Sequence, residues 1–479
     1  MLFNSVEFVV FFTAVFLLYF TTPHKWRWLL LLIASYIFYM SWKVEYILLI
    51  VISTLVDYFM GIKMGQEPLK EKRKKFLYIS LISNLSILFS FKYFNFFSES
   101  IGGLANFMGL SYSAPLFEVL LPVGISFYTF QTLSYSIDVY NGKIDPEKHL
   151  GRFALFVSFF PQLVAGPIER SGNLLPQFRE KKSFDYERVM SGMRLAAWGL
   201  FKKVVIADRL AFFVNMIYNS PENFHGLSVA LATFFFAFQI YCDFSGYSDI
   251  AIGVARMLGF DLMKNFERPY FSRSIGEFWR RWHISLSTWF RDYVYIPLGG
   301  NRVVKWRWYY NLFLTFLISG LWHGANWTFV IWGALHGFYL IVENFSKGYM
   351  KEKGLSNPLP TLLKDAFSLG LTFVLVCFAW IFFRANSLSD AILLIQHLFV
   401  WVPGDIGWIL TPEHRFEIVL SFLAIALLLT VQVFQEKRSM GNWISIQPVF
   451  IRWTVYVMLV SIILNFGEFN QQQFIYFQF

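Results

Sequence analysis

His323 is the residue in this sequence whose position best suits proton transfer. It lies in the run ISGLWHGANW (318–327), at the junction of two apolar segments. The flanking glycines would let backbone or substrate approach closely. An ionisable residue inside a membrane segment marks a candidate functional site, because an uncompensated charge there is costly. Burial favours the neutral imidazole that a general base needs. On these physical grounds alone, a catalytic role for His323 and a structural role, as a histidine hydrogen-bonded between helices, are equally favoured.

His283 lies in a different setting, the run EFWRRWHISLS (277–287), where tryptophan and arginine interleave. Such a pattern is typical of an amphipathic helix on the cytoplasmic face of a membrane. The alternative is a helix that dips into the protein and directs Arg280, Arg281 or His283 at an anionic substrate. Composition does not decide between the two.

Two further groups are weaker candidates. His336, in WGALHG (332–337), is interpreted as a polar interhelical contact among small residues. Asp243 and Asp249 follow a strongly apolar stretch, and their spacing of six places them on different helix faces. We expect them to cap or pack at a helix break.

Several kinds of site are disfavoured by the motifs. The eight histidines show no HxxxH or HExxH spacing, so no zinc or other metal site is predicted. There is no GxSxG elbow and no phosphate-binding loop. The two cysteines, Cys242 and Cys377, exclude a disulfide framework or a cysteine-rich metal site.

The elements that must position these residues lie in a membrane. Of the 479 residues, 56% are hydrophobic and only 15% charged, and aromatic residues reach 21%. A soluble protein cannot hide so much apolar surface behind so few charges. The net charge of +10 lies mainly between apolar segments, where the positive-inside rule explains it, so we expect no nucleic-acid partner.

The apolar segments predict an all-α polytopic protein, because backbone groups in hydrocarbon must be satisfied within each segment. No soluble domain is visible, and we treat residues 1–479 as a single integral-membrane domain. We expect the first segment to be a retained span, since no basic leader or cleavage site accompanies it. The twelve predicted spans are 8–21, 28–42, 45–62, 76–97, 119–139, 194–217, 226–243, 308–321, 327–344, 364–384, 416–434 and 449–466.

Charge in the loops predicts the orientation. Residues 63–75 carry six basic residues and residues 264–307 carry nine, whereas 98–117 and 385–413 carry none. We therefore expect the first pair of loops in the cytoplasm, the second pair outside, and both termini outside.

Residues 153–168 (FALFVSFFPQLVAGPI) interrupt this count, because basic residues flank both ends. Pro161, Gly166 and Pro167 make a straight helix unfavourable. We interpret the segment as re-entrant from the cytoplasmic side, which would imply a cavity. An ordinary crossing, with another span miscounted, is the alternative.

Together these runs resemble the membrane-bound O-acyltransferase family, in particular its bacterial polysaccharide-acetylating branch. The matching pieces are LPVGISF (121–127), RPYF (268–271), EFWRRWHISLSTWFRDYVYIPLGGNR (277–302), SGLWHGANW (319–327) and FFRA (382–385). They run in family order over nearly the whole chain. The resemblance implies that His323, of the WHG motif, is the catalytic residue and that His283 is a second important one.

The resemblance also implies a fold of about twelve transmembrane helices, with re-entrant and interfacial helices around a central tunnel. It implies transfer of an acyl group, most simply acetyl, from a cytoplasmic thioester to a hydroxyl on an extracytoplasmic polysaccharide such as alginate, or on a partner protein. The donor would be acetyl-CoA or an acyl carrier protein, with no tightly bound cofactor. Substrate-binding residues would be Arg280, Arg281, Trp282, Trp322 and Asn326, the last as a donor to the oxyanion.

We expect a multi-pass protein of a bacterial inner membrane, in contact with lipids and with extracytoplasmic acetyltransferase or polysaccharide-secretion partners. D-alanylation of teichoic acid and peptidoglycan O-acetylation remain open within the family. Outside it, a transporter of an acyl group or lipid-linked sugar would explain the re-entrant segment, and a non-enzymatic scaffold would tolerate loss of His323.

Overall fold

The fold is described from a computed structural model covering residues 1–110, 112, 115–117, 122–163, 166–353, 360–403, 407–469 and 474–475. All regular secondary structure in these residues is helical, which confirms the predicted all-α class. Parts of some predictions lie outside the described residues: the start of the span 119–139, Leu121 of LPVGISF, 164–165 of the re-entrant segment, and portions of the loops 98–117 and 385–413.

The chain forms two compact units. The first comprises Met1–Met193 and Ala251–Met263, and the second comprises Arg194–Ile250 and Lys264–Phe479. The first unit contains α1 (Val6–Thr21), α2 (His24–Met40), α3 (Ile47–Gln66), α4 (Lys70–Leu88), α5 (Phe94–Phe107), α6 (Ile125–Tyr140), α7 (Leu150–Ser158), α8 (Phe160–Leu163) and α9 (Ser171–Gln177).

Two helices contribute residues to both units: α10 (Tyr186–Leu200) and α12 (Gly226–Leu258). The second unit also contains α11 (Asp208–Tyr218), α13 (Ile275–Arg281), α14 (Ile284–Phe290), α15 (Lys305–His323), α16 (Trp327–Glu352), α17 (Thr361–Arg384), α18 (Leu388–His397), α19 (Pro412–Lys437), α20 (Met440–Ser445) and α21 (Val449–Phe466).

Among the residues that the structure describes, six helices are long and apolar enough to cross a membrane by length and composition. They are Val44–Gln66, Lys70–Phe107, Gly226–Leu258, Thr361–Arg384, Pro412–Lys437 and Val449–Phe466. The first of these adds the short 3-10 turn Val44–Tyr46 to α3, and the second joins α4 and α5 through the π-helical turn Phe89–Tyr93. Val6–Thr21 and Leu150–Leu163 are apolar but shorter. A multi-pass membrane protein is therefore confirmed, while the count of about twelve spans stays a prediction.

The predicted re-entrant segment is two short helices rather than one straight one. Helix α7 ends at Ser158, and α8 begins two residues later at Phe160. The side chain of Gln162 donates to the Phe156 carbonyl oxygen at 2.7 Å, and residues 153–163 are buried in the first unit. Irregular backbone at membrane depth is tolerated where protein covers it. Entry and exit on the same side of the membrane remain a prediction.

A buried carboxylate organises the centre of the first unit. Asp57 on α3 is fully buried, and it accepts from Asn84 of α4 at 2.8 Å and from Ser136 of α6 at 3.0 Å. Ser80 also donates to it. Polar groups between membrane helices are retained where they hydrogen-bond across the interface. This cluster therefore links three helices.

The expected helix break at Asp243 and Asp249 is wrong, because both lie inside the continuous 33-residue helix α12. Lys203 Nζ lies 2.6 Å from Asp243, and Lys202 Nζ lies 2.7 Å from Asp249. Buried charges persist when they are paired, so these lysines explain how the helix continues through two carboxylates. The different lysine partners agree with the prediction that the two face different ways.

Phe474 and Ile475, near the end of the described chain, contact α12 around Asp243. The Ile475 N–H donates to Asp243 Oδ2 at 2.8 Å. The neighbouring Phe474 is fully buried, and its ring centroid lies 5.6 Å from that of Phe244 and 4.6 Å from that of Tyr247. A short C-terminal stretch is thus built into the core of the second unit.

Candidate active site

His323 is the last residue of α15 and is 3% exposed. Its imidazole is surrounded by aromatic rings, with centroids of Trp322 and Trp332 both at 4.9 Å and Phe383 at 5.3 Å. Edge-on contacts of this kind hold a ring in place through packing and quadrupole geometry. The histidine predicted from the WHG motif therefore lies in an aromatic cage inside the second unit.

Small residues explain why the cage can form. A Cβ on Gly320 of α15 would lie 2.3 Å from the Phe329 carbonyl oxygen, and one on Gly333 of α16 would lie 2.4 Å from that of Phe316. The two helices thus approach closely at their glycines. A Cβ on Gly324 would lie 2.1 Å from the Phe329 ring. The close approach predicted at the glycines beside His323 is therefore present, and the groups that approach them belong to the protein itself.

His283 occupies the break between two short helices, α13 and α14. Its φ is +43°, and His283 and Arg268 are the two non-glycine residues with positive φ in the described chain. Such a conformation is uncommon and indicates that the surroundings hold it. His283 is fully buried, and burial lowers the pKa of its imidazole from 6.5 to about 3, because a charged ring would lose its hydration. The ring is therefore neutral at physiological pH.

Hydrogen bonds orient the His283 ring. Its Nδ1 lies 3.1 Å from Asn265 Oδ1, and Ser285 Oγ donates to the same oxygen at 2.9 Å. The Phe244 ring of α12 meets the imidazole edge-on, with centroids 4.6 Å apart. The run 277–287 is thus an interrupted, largely buried segment and not the amphipathic surface helix that its composition also allowed.

Trp322 links the two histidines. Its ring centroid lies 4.9 Å from that of His323 and 6.2 Å from that of His283. The structure therefore brings the two predicted catalytic histidines against one buried indole, although forty residues separate them in the sequence. Trp282 is also fully buried, but it packs on Phe278 and Trp380, with centroids at 5.4 and 5.1 Å.

The two candidate donor-binding arginines differ. Arg281 pairs with Glu277 at 2.8 Å and with Glu436 at 3.2 Å, so its guanidinium is occupied by carboxylates of the protein. Arg280 is exposed, and no carboxylate of the described chain pairs with it. Arg280 is therefore the one of the two that an anionic ligand can reach without displacing an ion pair.

Asn326 caps the beginning of helix α16. It is the N-cap of α16, where its Oδ1 accepts from the Thr328 N–H at 3.0 Å. Its Nδ2 donates to the Asn386 carbonyl oxygen at 3.3 Å. Asparagine at this position satisfies a backbone donor that the helix cannot. Because Nδ2 carries two hydrogens and the bond to Asn386 uses one, these contacts leave a second N–H, and its role at the oxyanion stays a prediction.

His336 makes the interhelical contact that its setting predicts. The indole N–H of Trp279 on α13 donates to His336 Nδ1 on α16 at 3.2 Å. His336 also lies against Trp332, with ring centroids 5.0 Å apart. Among the described residues, no group of three or more histidine, cysteine or acidic side chains could hold a metal.

Sequence reasoning missed two residues of this region. Trp332 lies four residues before His336, so both lie on one face of α16, and the Trp332 ring contacts His323. That signal was available in the sequence. Asn265 lies eighteen residues before His283 in a segment without a motif, and only the tertiary structure reveals its contact with the imidazole.

Comparison with known proteins is consistent with this geometry. The sequence model of the MBOAT, membrane-bound O-acyltransferase family matches residues 40–386. The protein named probable alginate O-acetylase AlgI in Pseudomonas putida is 39% identical over the full length of both chains.

Other relatives carry different names. The peptidoglycan O-acetyltransferase of Helicobacter pylori is 34% identical, over 95% of this chain and 92% of that protein. The teichoic acid D-alanyltransferase of Bacillus subtilis is 31% identical, over 55% of this chain and 69% of that protein. Similarity to the acetylating relatives thus extends over far more of the chain.

Proposed function

This chain belongs to the membrane-bound O-acyltransferase family, and from that premise we propose that it transfers an acetyl group from a cytoplasmic thioester to a hydroxyl on an extracytoplasmic polysaccharide. The observation that carries the proposal is the convergence of His323 and His283 on Trp322. Full-length similarity to an alginate O-acetylase favours an alginate-like acceptor.

His323 is the proposed general base. Its neutral imidazole takes the proton of the acceptor hydroxyl while the oxygen attacks the thioester carbonyl carbon. The carbon–sulfur bond then breaks, the ester forms, and the thiolate leaves and takes up the proton. Its aromatic cage excludes water, which would otherwise compete with the acceptor hydroxyl.

The donor is acetyl-CoA or an acetylated carrier protein, each of which presents a thioester and phosphate groups. Arg280 offers an exposed guanidinium to those phosphates, and such planar donors bind phosphate oxygens in pairs. Because Arg281 is engaged by Glu277 and Glu436, it supports the segment and its exchange should matter less. No tightly bound cofactor is proposed.

We place the protein in a bacterial inner membrane, with about twelve spans and both termini outside, around a tunnel that joins donor and acceptor. Its partners would be extracytoplasmic acetyltransferase or secretion proteins that hand the acetyl group to the polymer. The basic loops 63–75 and 264–307 support this orientation.

Cysteine labelling tests the orientation, and the structure selects the reporters. Gln66 and Glu99 are exposed, so a cysteine at either position can react. Three other positions suit labelling less well. Ser98 and Ser272 donate to backbone oxygens, and a Cβ on Gly65 would clash with Pro146. In a chain lacking Cys242 and Cys377, an impermeant maleimide should label Glu99→Cys in intact cells and Gln66→Cys only after lysis. The reverse pattern would overturn the orientation.

The second candidate function is D-alanyl transfer to teichoic acid, favoured by a relative that matches about half of the chain. Peptidoglycan O-acetylation is a third, favoured by the relative from Helicobacter pylori. Presenting inverted membrane vesicles with labelled acetyl-CoA, acetyl carrier protein or D-alanyl carrier protein separates these donors, and the polymer that retains label identifies the acceptor.

His323→Ala tests the reaction class, with His336→Gln as a matched buried control. An enzyme loses thioester consumption and polymer acetylation in His323→Ala at equal membrane abundance, while His336→Gln keeps both. A transporter continues to move its cargo without cleaving a thioester. A scaffold supports normal acetylation in both variants, which would remove His323 from the chemistry.

A further inference from the structure

We propose that Asn265 is a positioning residue that fixes the proton of His283 on Nδ1 and so presents the Nε2 lone pair to an O–H or N–H group of the substrate. The tautomer assignment rests on hydrogen bonds within the second unit alone. Its importance for transfer rests additionally on the proposed function.

The orientation of the Asn265 amide follows from its partners. The Ser285 backbone N–H, which can only donate, points at Oδ1 at 3.3 Å. On the other side, Nδ2 donates to Ser248 Oγ on α12 at 3.1 Å. Exchanging the amide oxygen and nitrogen would set two donors against each other at Ser285, so the atom beside His283 is an acceptor.

The protonation of His283 follows from that acceptor. Since Asn265 Oδ1 has no hydrogen, Nδ1 of His283 must be the donor across the 3.1 Å contact. Ser285 Oγ lies 3.5 Å from the same nitrogen, but it donates to Oδ1 at 2.9 Å. A ring that is neutral and protonated at Nδ1 carries its lone pair on Nε2.

The backbone fixes Asn265 in place. Its carbonyl oxygen accepts from the Ile284 N–H at 2.9 Å, and the Glu267 N–H donates to the Arg281 carbonyl oxygen at 2.8 Å. These two bonds tie the segment 265–267 to the residues on both sides of His283. Asn265 and Ser248 are each 1% exposed, so water does not compete for their hydrogen bonds.

This assignment restricts what His283 can do. With the lone pair on Nε2, the ring accepts a hydrogen bond from substrate and cannot donate one to a developing oxyanion. Uncharged groups face the imidazole from four sides: Phe244 from α12, Phe266 and Asn265 from the preceding segment, Ser285 from α14, and Trp322 from α15. The function of His283 is thus complementary to the proton-taking role of His323.

Nitrogen-15 NMR tests the tautomer independently of any activity. The full-length protein, labelled with ¹⁵N-histidine and held in lipid nanodiscs, should show His283 with a protonated Nδ1 and an unprotonated Nε2, the signal being assigned by its loss in His283→Gln. A neutral imidazole in water favours the opposite tautomer. Protonation of Nε2 in the wild type would overturn the proposal.

Two variants test Asn265 itself, with Asn311→Ala as the matched control. Asn311 is fully buried and donates to the Leu298 and Gly300 carbonyl oxygens. Asn265→Ala should move the His283 proton toward Nε2. Asn265→Asp should keep the proton on Nδ1 and raise the His283 pKa, because a carboxylate stabilises the imidazolium. Asn311→Ala should leave both signals unchanged. An unchanged tautomer in Asn265→Ala would sink the proposal.

Transfer kinetics complete the test. Asn265→Ala should lower kcat by at least roughly tenfold, since a wrong tautomer misdirects the ring, and it should have no further effect in a His283→Gln background. Asn265→Asp should lose activity at a higher pH than the wild type as the pH falls. Additive losses in the double variant would contradict action through His283. A wild-type protein without transferase activity would refute the proposed function while leaving the NMR result intact.

Discussion

His323 and His283 contact the same indole but are held by different kinds of neighbour. The rings of Trp322, Trp332 and Phe383 pack around His323, whereas His283 contacts Asn265 through Nδ1. Ring packing fixes where the imidazole of His323 lies. A hydrogen bond to an amide oxygen also selects which ring nitrogen carries the proton. Under the proposed function, the base is therefore held mainly by aromatic rings and its neighbouring histidine by an amide.

The largest effects on transfer are expected when each imidazole is removed in turn. His323→Gln should reduce transfer by roughly 10²- to 10⁴-fold, as expected for loss of a general base. His283→Gln should cost less, roughly tenfold to a hundredfold, as expected for one lost hydrogen bond in the transition state. Initial rates in vesicles, normalised to protein level, measure both. A larger loss in His283→Gln would reverse the two roles.

Adding a methyl group at the close contact of α15 and α16 should disturb the surroundings of His323 and not those of His283. Gly333→Ala places a methyl group 2.4 Å from the Phe316 carbonyl oxygen, so the helices must separate at a cost of about 1–3 kcal/mol in unfolding free energy. Thermal unfolding in detergent, followed by fluorescence, measures the change.

Gly348→Ala is the control for that substitution, because it lies in the same helix with nothing within 4 Å of the new Cβ. It should unfold at or slightly above the wild-type temperature, since alanine favours the helix. Equal stability in the two variants would show that α15 and α16 do not depend on their close approach.

Acidification should lower the folding stability of the protein, because His283 is buried in its neutral form. Its pKa is about 3 in the folded protein and 6.5 when exposed, so the unfolded chain binds more protons between these values. Folding stability is therefore complete above pH 6.5 and decreases as the pH falls. Between pH 7 and pH 5 the loss from this residue is about 2 kcal/mol.

The measurement is the difference in unfolding temperature between pH 7 and pH 5, compared in wild type and His283→Gln. The variant should lose less on acidification, because glutamine does not titrate. The same acid sensitivity in both proteins would mean that His283 is accessible to protons in the folded state.

The arginines beside His283 should give the smallest effect. Arg280→Lys removes the planar fork from an exposed side chain and should raise KM for the donor a few-fold with little change in kcat. Arg281→Lys should leave KM near the wild-type value, since its charge still faces Glu277 and Glu436. Titration of acetyl-CoA distinguishes them. Unchanged KM in both would assign this segment to support of His283 alone.

The sequence permitted prediction of where helices lie because lipid imposes a simple rule on apolar segments. Predicted spans such as 8–21 and 364–384 coincide closely with α1 and α17. The end of span 226–243 was placed too early, because hydropathy counts Asp243 as a stop. Pairing with Lys203, forty residues away, removes that penalty and lies outside any local window.

The site was predictable only in part for a similar reason. His323 and His283 stand in motifs, and Trp332 could have been found from its helical spacing to His336. Asn265 and Glu436, which pairs with Arg281, contribute through contacts between distant positions, which no spacing encodes. Motifs identify groups that react, whereas the groups that orient them depend on the complete fold.

The bond from Ile475 to Asp243 has a consequence for the order in which this protein is made. Its partners are 232 residues apart, so Asp243 and the neighbouring Phe244 leave the ribosome long before Phe474 and Ile475 can reach them. During that interval Asp243 can already pair with Lys203, which also binds Asp208, because all three residues precede Phe474 by more than 200 positions. Contacts of such long sequence separation form late. The surroundings of His283 are consequently among the last parts of the chain to mature during biosynthesis.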